Sequence, residues 1–363
     1  MLRKDLMETT MRDFRKYWLC ALALFCGAVA TGGEPQKFQA YALIVAGEGS
    51  EPNFTENYRD WTVRLQKTLT ADCGIPAAFV RVLMEKKELA PEIASDISTR
   101  ENVLKTFKDL KSKVKRGDQF LLVYIGHGTA QNKIGKLCLP GPDITSDETA
   151  ELLNQLPNRE VVLINSACCS DSFVDKCSLP GRAIITATNN SGEGNETYLM
   201  EFLLKAYENR AADKDKNGAV DLLEAFNYAA TECPKWYLRQ YLEDKVGWRI
   251  EGKQSRQLWQ KFYGNVKDKT MAEALDANAD DAEPQLGEWG PQWQSRRMPA
   301  EHAQLDDNGD HQGTAVFAGN QFTPLAGSEE GVDGWHAKKI ILGKPQGNTE
   351  PPPVPLEKIE KNQ

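Results

Sequence analysis

Histidine is scarce in this chain. Its 363 residues include four histidines, and between residues 31 and 300 His127 is the only one. Any imidazole chemistry in that stretch therefore depends on one identifiable residue. The chain also lacks an excess of basic residues: its formal net charge is −8, unlike the positive footprint of nucleic-acid-binding proteins. We expect no nucleic-acid partner.

Long apolar runs are rare as well, and the first lies close to the N-terminus. Basic residues precede the run Trp18–Ala30, which is too short to span a bilayer and ends in the small-x-small motif AVA. This arrangement predicts a secretory signal peptide over residues 1–30, and hence a secreted or periplasmic product. An uncleaved anchor is the alternative. Because no second long apolar run follows, we expect no stable membrane span after cleavage.

The cysteine content leaves the redox state open. Eight cysteines become six after removal of residues 1–30. In an oxidising compartment some of them could pair, but spacing alone does not give the connectivity. The six are Cys73, Cys138, Cys168, Cys169, Cys177 and Cys233.

Apolar runs of strand length alternate with helical segments between residue 40 and about residue 235. This alternation predicts an α/β fold with a mostly parallel sheet covered by helices on both faces. We expect the core domain to span residues 31–235, an irregular region to span 236–345 and a Pro-rich disordered tail to span 346–363. The predicted strands are Ala40–Ala46, Phe79–Leu83, Gln119–Ile125, Glu160–Asn165 and Ala183–Thr188.

Two of these strands end in chemically reactive side chains. Leu121–Gly128 reads LLVYIGHG and ends in His127 between two glycines, whereas Val161–Phe173 reads VVLINSACCSDSF and contains Cys168. Side chains at the carboxyl ends of neighbouring parallel strands point into one crevice. A thiol and an imidazole that meet there form an activated nucleophile. The alternative is a turn histidine and a structural cysteine; the two positions together favour catalysis.

The chemistry needs little beyond this pair. A Cys168 thiolate would attack a carbonyl carbon, and His127 would hold the thiolate as an imidazolium and then protonate the leaving amine. Gly128 has no side chain, so its N–H could approach an oxyanion together with the N–H of Cys168. The alternative for the flanking glycines is simple turn formation.

These residues resemble a known family. A Gly-His-Gly motif after one strand and Ala-Cys-x-Ser-x-Ser after another are similar to the legumain-type (asparaginyl endopeptidase) family of caspase-fold cysteine peptidases. The segment Asn57-Tyr58-Arg59 and the stretch ITATNNSGEGNETYLMEF add to the resemblance, which runs from about Ala40 to about Ala230. Its departures resemble a bacterial secreted subgroup. The resemblance implies a caspase-like three-layer sandwich.

The resemblance also implies roles for single residues. His127 and Cys168 match the family's catalytic pair, and Asn57 matches an asparagine that orients the histidine. Arg59 matches a pocket arginine that reads the substrate side chain, and Glu201 falls near an acidic pocket position. Cys169 stands where the family often has an acid, and Asp60 replaces a basic residue. Asparagine specificity therefore does not carry over.

A second motif lies outside the strand pair. Asp213–Glu224 reads DKDKNGAVDLLE and fits a calcium-binding EF-hand loop, with helical sequence on both sides. The alternative is a solvated acidic loop. Because the loop is single, we expect a calcium ion that stabilises a helix junction rather than a sensor. The predicted ligands are Asp213, Asp215, Asn217, the Ala219 carbonyl, Asp221 and Glu224.

A second acidic turn follows at Asp306–Asp310. It lacks a glutamate at the twelfth position, so an ordinary Asn-Gly turn is the alternative to a second calcium site.

Together these features favour an exported cysteine endopeptidase or transpeptidase that acts on protein or peptide substrates, with calcium as a structural ligand. Two alternatives remain. One is a catalytically inactive calcium-binding module or adaptor on the same scaffold. The other is a caspase- or metacaspase-like peptidase that prefers an acidic or a basic residue before the cleaved bond.

Overall fold

The structure is a computed structural model. It describes residues 37–157, 160–194, 196–208, 210–246, 301–318 and 321–350. The expected signal peptide and residues 351–363 of the expected tail lie outside the described residues.

Strands and helices alternate through the first two thirds of the described chain. The strands are β1 (Ala40–Ala46), β2 (Val80–Met84), β3 (Asp96–Ile97), β4 (Gln119–Ile125), β5 (Gly128–Gln131), β6 (Ile134–Leu137), β7 (Ile144–Thr145), β8 (Glu160–Asn165), β9 (Arg182–Thr186), β10 (Gln304–Asp306), β11 (Thr314–Ala315), β12 (Phe317–Ala318) and β13 (Gln321–Phe322). The helices are α1 (Pro52–Lys67), α2 (Arg100–Lys111), α3 (Ser146–Leu153), α4 (Ser172–Cys177), α5 (Leu199–Glu208) and α6 (Leu222–Val246).

In the described residues, the central sheet has eight strands in the order β11-β10-β9-β8-β4-β1-β2-β3. The six strands β9, β8, β4, β1, β2 and β3 run parallel, whereas β10 is antiparallel to both of its neighbours, β9 and β11. Every residue of β1, β4, β8 and β9 is buried, as expected for strands covered on both faces. The predicted mostly parallel α/β sheet is therefore confirmed.

Helices cover both faces of this sheet. On one face, α1, α5 and α6 pack on alternate strand residues such as Ile44 and Val123. On the other face, α2, α3 and α4 pack on the residues between them, such as Leu43 and Leu122. The period-2 alternation of strand side chains thus supplies both cores from the same runs. The result is three layers, helices, sheet and helices.

Local sequence signals fix where two helices begin. Thr99 accepts the N–H of Asn102 at 3.3 Å and caps α2. For α3 the cap is Thr145, because Thr145 and Glu148 form a reciprocal capping box.

The sheet continues past residue 235, where the end of the core domain was expected. Helix α6 runs on to Val246, and β10 pairs with β9, with Leu305 opposite Ile185. Leu305 and Ile340 are fully buried. The expected boundary at residue 235 is therefore wrong, because the described part of the C-terminal region completes the core. Strands of two or three residues are too short to show an alternating pattern.

Within the described part of the chain, no helix combines the length and apolar character needed to cross a membrane.

Candidate active site

The ends of β4 and β8 bring His127 and Cys168 together. These strands are neighbours, and Tyr124 near the end of β4 pairs with Asn165 at the end of β8. His127 follows β4 by two residues and Cys168 follows β8 by three. Their side chains are hydrogen-bonded to each other. The thiol and the imidazole therefore meet at the carboxyl edge of the sheet, where parallel α/β folds place their chemistry.

Both backbone groups of Gly128 contact the sulfur of Cys168. Its N–H donates to Cys168 Sγ at 3.2 Å, and the thiol lies 3.2 Å from its carbonyl oxygen. A Cβ atom on residue 128 would lie 2.1 Å from the carbonyl oxygen of Cys168. No side chain fits there, so glycine is required for the close approach of the two strands' ends.

A Gly128→Ala substitution is expected to displace Cys168 from its partners. The variant should lower the melting temperature and slow alkylation of Cys168, because the new methyl group and the Cys168 carbonyl cannot both keep their places. Thermal melts and iodoacetamide labelling measure the two effects. Gly194→Ala is the control, since its Cβ would make only an ordinary 3.9 Å contact with Cys169 Sγ. Equal behaviour of the two variants would contradict the requirement.

The electrostatic setting of Cys168 favours its thiolate. Cys168 is only 4% exposed, and burial alone would raise its pKa. A hydrogen bond from Cys169, hydrogen bonds from His127 and the Gly128 N–H, and the charge of His127 outweigh burial and lower the pKa of Cys168. The neighbouring Cys169 shows the opposite behaviour, because its hydrogen bond with Cys168, burial and the charge on Cys168 raise its pKa. The N–H of Gly128 and the charge of His127 therefore favour ionisation of Cys168.

His127 is set up to carry a positive charge. Its hydrogen bond with Cys168 raises its pKa; burial opposes this, and the carboxylate of Glu196 adds to the rise. His127 Nδ1 lies 3.1 Å from Glu196 Oε2. The rings of Phe54 and Tyr58 pack edge-on against the imidazole, with centroids at 4.9 and 5.5 Å. Ring packing and a carboxylate together fix the plane of the imidazole.

Glu196 is the third member of this arrangement, and the sequence did not identify it. Tyr58 donates its hydroxyl hydrogen to Glu196 Oε2 at 2.9 Å. Burial raises the pKa of Glu196 to about 7, although the positive charge of His127 pulls it down. The next residue, Thr197, donates its hydroxyl to the carbonyl oxygen of Ser166 at the end of β8. The contacts with Tyr58 of α1 and with Ser166, just after β8, thus hold Glu196 beside His127.

Asn57 does not take the orienting role that the family resemblance implied. Its side chain is hydrogen-bonded to Tyr198. Successive residues on a helix point about 100° apart, and in α1 it is Tyr58, not Asn57, that turns toward Glu196 and His127. A carboxylate therefore stands at His127 Nδ1 in place of the expected amide.

The two residues expected in a substrate pocket lie elsewhere. Arg59 is exposed, and its Nε donates to the carbonyl oxygen of Leu89 at 2.5 Å. Glu201 Oε2 accepts hydrogen bonds from Trp61 at 2.9 Å and from Arg64 at 2.6 Å. Its other oxygen pairs with a lysine one turn further along α5. Glu201 therefore ties α1 to α5, and its expected contact with substrate is not supported.

The residue after the nucleophile candidate has an unusual backbone. Cys169 has φ of +52°, a left-handed conformation that is uncommon for any residue other than glycine. Its N–H donates to the carbonyl oxygen of Glu193 at 3.1 Å. Its thiol lies 3.5 Å from the carbonyl oxygen of Ser191. The turn after Cys168 is thereby attached to the loop that carries Glu196. All six cysteines of the described residues are free thiols.

The predicted calcium loop connects α5 to α6. Ligand oxygens of Asp213, Asp215 and Glu224 lie within 4.8 Å of one another. Glu224 Oε1 accepts the backbone N–H groups of Lys214 and Asp215 at 2.7 and 3.2 Å. Asp213 Oδ1 is buried and has no hydrogen-bond partner. The carboxylates at the first, third and twelfth positions of the motif therefore converge.

The other predicted ligands lie in the same loop. Asn217 Oδ1 accepts the N–H of Ala219 at 2.9 Å. Asp221 Oδ1 accepts the N–H of Glu224 at 2.8 Å, so Asp221 caps the start of α6. Burial raises the pKa of Asp221 to about 6. Gly218 has φ of +85°, as the sharp turn of such a loop requires. The cap is a role that the motif alone did not predict for Asp221.

The second acidic turn is part of the packing of the C-terminal region. Asp306 and Asp307 are 1% and 3% exposed. Asp307 accepts the backbone N–H groups of Gly334 and Ala337 at 2.9 and 2.6 Å. These bonds fasten the segment after residue 330 to β10.

Comparison with known proteins adds little to this picture. No family model matches the chain, and no curated protein matches it. Among solved structures, the crystal structure of protein GSU0716 from Geobacter sulfurreducens matches at 15% identity with a TM-score of 0.35, covering 54% of this chain and 89% of that one. A likeness at that level carries no argument about function. The class that fold and site define is an α/β protein with a buried cysteine beside a half-buried histidine and a half-buried glutamate at one sheet edge.

Proposed function

We propose that the chain is an exported cysteine endopeptidase or transpeptidase that acts on protein or peptide substrates. The observation that supports this best is the setting of Cys168. Its sulfur receives the N–H of Gly128 at 3.2 Å and is hydrogen-bonded to His127, while Glu196 holds the imidazole at 3.1 Å. This is an activated nucleophile with an oriented base.

The first half of the reaction forms a thioester. The Cys168 thiolate attacks the scissile carbonyl carbon, and the π electrons of the carbonyl move to its oxygen. The Gly128 N–H already contacts the sulfur, so it is within reach of an oxyanion on the carbon that the sulfur attacks. When the C–N bond breaks, the His127 imidazolium gives its proton to the leaving amine.

The second half regenerates the thiol. Neutral His127 takes a proton from water, and the hydroxide oxygen attacks the thioester carbon. The C–S bond then breaks and the thiolate is released. If an amine attacks instead of water, the product is a new peptide bond. Glu196 stabilises the imidazolium in both halves because its charge opposes that of the ring.

The test is cleavage of a peptide library by the purified protein, followed by mass spectrometry of the products. Cleavage after a small set of residue types would support the endopeptidase. A ligation product in the presence of an added amine would favour the transpeptidase. No cleavage, combined with ordinary reactivity of Cys168, would instead favour the inactive calcium-binding module.

We further propose that calcium binds the loop between α5 and α6. Three carboxylates in one small space repel each other unless a cation or protons neutralise them. Asp213, Asp215 and Glu224 would hold the ion, and oxygens are the ligands that calcium prefers. The loop that carries Glu196 leads into α5, so a calcium ion that fixes the junction between α5 and α6 also limits the movement of that loop.

Removal of calcium is expected to lower the melting temperature. An ion that binds only the native state adds RT ln(1 + [L]/Kd), about 2.7 kcal/mol at a hundredfold excess over Kd. Glu224→Gln should mimic chelation, since it removes the carboxylate in the first turn of α6. Glu151→Gln, an exposed helical position, is the matched control. Equal melting temperatures of the wild type with calcium and with chelator would contradict the proposal.

A further inference from the structure

A short stretch of the C-terminal region holds the loop that carries Glu196. This loop, residues 187–198, connects β9 to α5 and is called the base loop here. Three residues at the start of the described C-terminal region contact it: Glu301, His302 and Gln304. Gln304 donates to the Thr188 carbonyl oxygen at 3.1 Å, at the beginning of the base loop. His302 Nδ1 lies 2.6 Å from Glu193 Oε1, in its middle.

Glu301 holds the end of the base loop. Its carboxylate is buried, with 4% exposure of the residue. Oε2 accepts the N–H of Tyr198 at 2.7 Å, and Oε1 accepts the N–H of Leu199 at 2.9 Å. A carboxylate at this place satisfies the free N–H groups of α5 and complements the dipole of the helix. It therefore fixes the direction in which the base loop enters α5.

Helix α6 closes the arrangement from the other side. Cys233 and Tyr237 both place donors on Glu301 Oε2, at 3.2 and 3.1 Å. The Tyr237 hydroxyl also lies 2.6 Å from the backbone carbonyl oxygen of Glu196. The groups that face Glu301 are thus the N–H groups of Tyr198 and Leu199, the thiol of Cys233 and the hydroxyl of Tyr237. Through Tyr237, the carboxylate of Glu301 and the backbone of Glu196 share one hydroxyl.

We propose that Glu301 is a positioning residue for the candidate base: it holds the Glu196 carboxylate at His127 Nδ1 by fixing the base loop. The inference rests on the proposed function for its catalytic consequence, but not for the geometry it asserts. The described residues of the base loop, 187–194 and 196–198, have no regular secondary structure, so losing one tether adds conformational freedom. A misplacement of about 1 Å in such a constellation can cost on the order of 100-fold in rate.

The measurement is the titration of the His127 ring by NMR in protein labelled at histidine, with His127→Ala to assign its signal. Glu301→Gln and Glu196→Gln should each lower the pKa of His127, because each weakens the contact with a negative charge. The double variant should shift it no further than Glu196→Gln alone, since the two residues act through one contact. On a cleaved peptide, Glu301→Gln should lower kcat/KM by about 10- to 100-fold.

Two further variants keep the test decisive. Tyr237→Phe removes only the shared hydroxyl, so it should shift His127 in the same direction even if Glu301→Gln folds poorly. Glu160→Gln is the control: this carboxylate is also buried and accepts bonds from Gln119 and Gln346, at the opposite end of β8. It should lower stability and leave His127 unchanged.

The outcomes separate the two proposals. The positioning role would be overturned if the pKa of His127 in Glu301→Gln and Tyr237→Phe equalled that of the wild type while the pKa in Glu196→Gln was clearly shifted. A shift in all three variants without any peptide cleavage by the wild type would support the positioning role and overturn the proposed peptidase.

Discussion

Replacing Cys168 by alanine is expected to abolish peptide-bond cleavage, with a loss of about a thousandfold or more, because the covalent step has no other nucleophile. The fold should remain, since the substitution removes one sulfur atom and costs about 1–3 kcal/mol for the Gly128 N–H that loses its acceptor. His127→Ala should be similarly inactive. Cleavage assays on a peptide found in the library screen measure these losses, and circular dichroism checks the fold.

Cys169→Ala is the matched control for Cys168→Ala, because it removes a thiol from the adjacent residue. We expect it to keep substantial activity. An inactive Cys169→Ala beside an active Cys168→Ala would place the nucleophile one residue later than proposed.

Glu196→Gln is expected to lower kcat by about 100-fold or more, in line with the loss seen when a triad carboxylate becomes an amide. The thiolate–imidazolium pair exists between the lowered pKa of Cys168 and the raised pKa of His127. Removing the charge of Glu196 lowers the pKa of His127, so the alkaline limb should move to lower pH. The pH dependence of kcat/KM measures this shift.

Two controls separate this effect from a general loss of stability. Glu201→Gln changes another carboxylate near the start of α5, one that bonds Trp61 and Arg64; it should reduce stability without moving the alkaline limb. Asn57→Ala should have a small effect, because its side chain bonds Tyr198. A larger loss in Asn57→Ala than in Glu196→Gln would restore the role that the family resemblance gave to Asn57.

The sheet could be predicted where strands are long and buried on both faces. The runs Gln119–Ile125 and Glu160–Asn165 are β4 and β8 with the expected bounds. A strand that is covered by helices on both faces buries every residue of a continuous apolar run. Strand β10, Gln304–Asp306, has only three residues. Its place depends on the partner strand β9 rather than on its own pattern, so no sequence signal predicted it.

The site shows the same division. His127 and Cys168 follow long parallel strands, so the strand-end rule was enough to bring them together. Glu196 lies in an irregular loop, where no periodicity predicts the direction of a side chain. The only sequence signal for Glu196 was an acidic residue in the segment after β9, the strand next to β8. For Asn57, Arg59 and Glu201, the phase of a helix decides which side chain reaches the site.

The central claim is that Cys168 is a thiolate activated by His127, and competitive alkylation tests it most directly. The native protein is treated with a limiting amount of iodoacetamide at a series of pH values, and the modification of each thiol is quantified by mass spectrometry. The account predicts that Cys168 reacts fastest and keeps its rate well below the ordinary thiol pKa of about 8.5, and that His127→Ala removes this advantage. Labelling of Cys168 no faster than the buried Cys177, or with the pH dependence of an ordinary thiol, would contradict it.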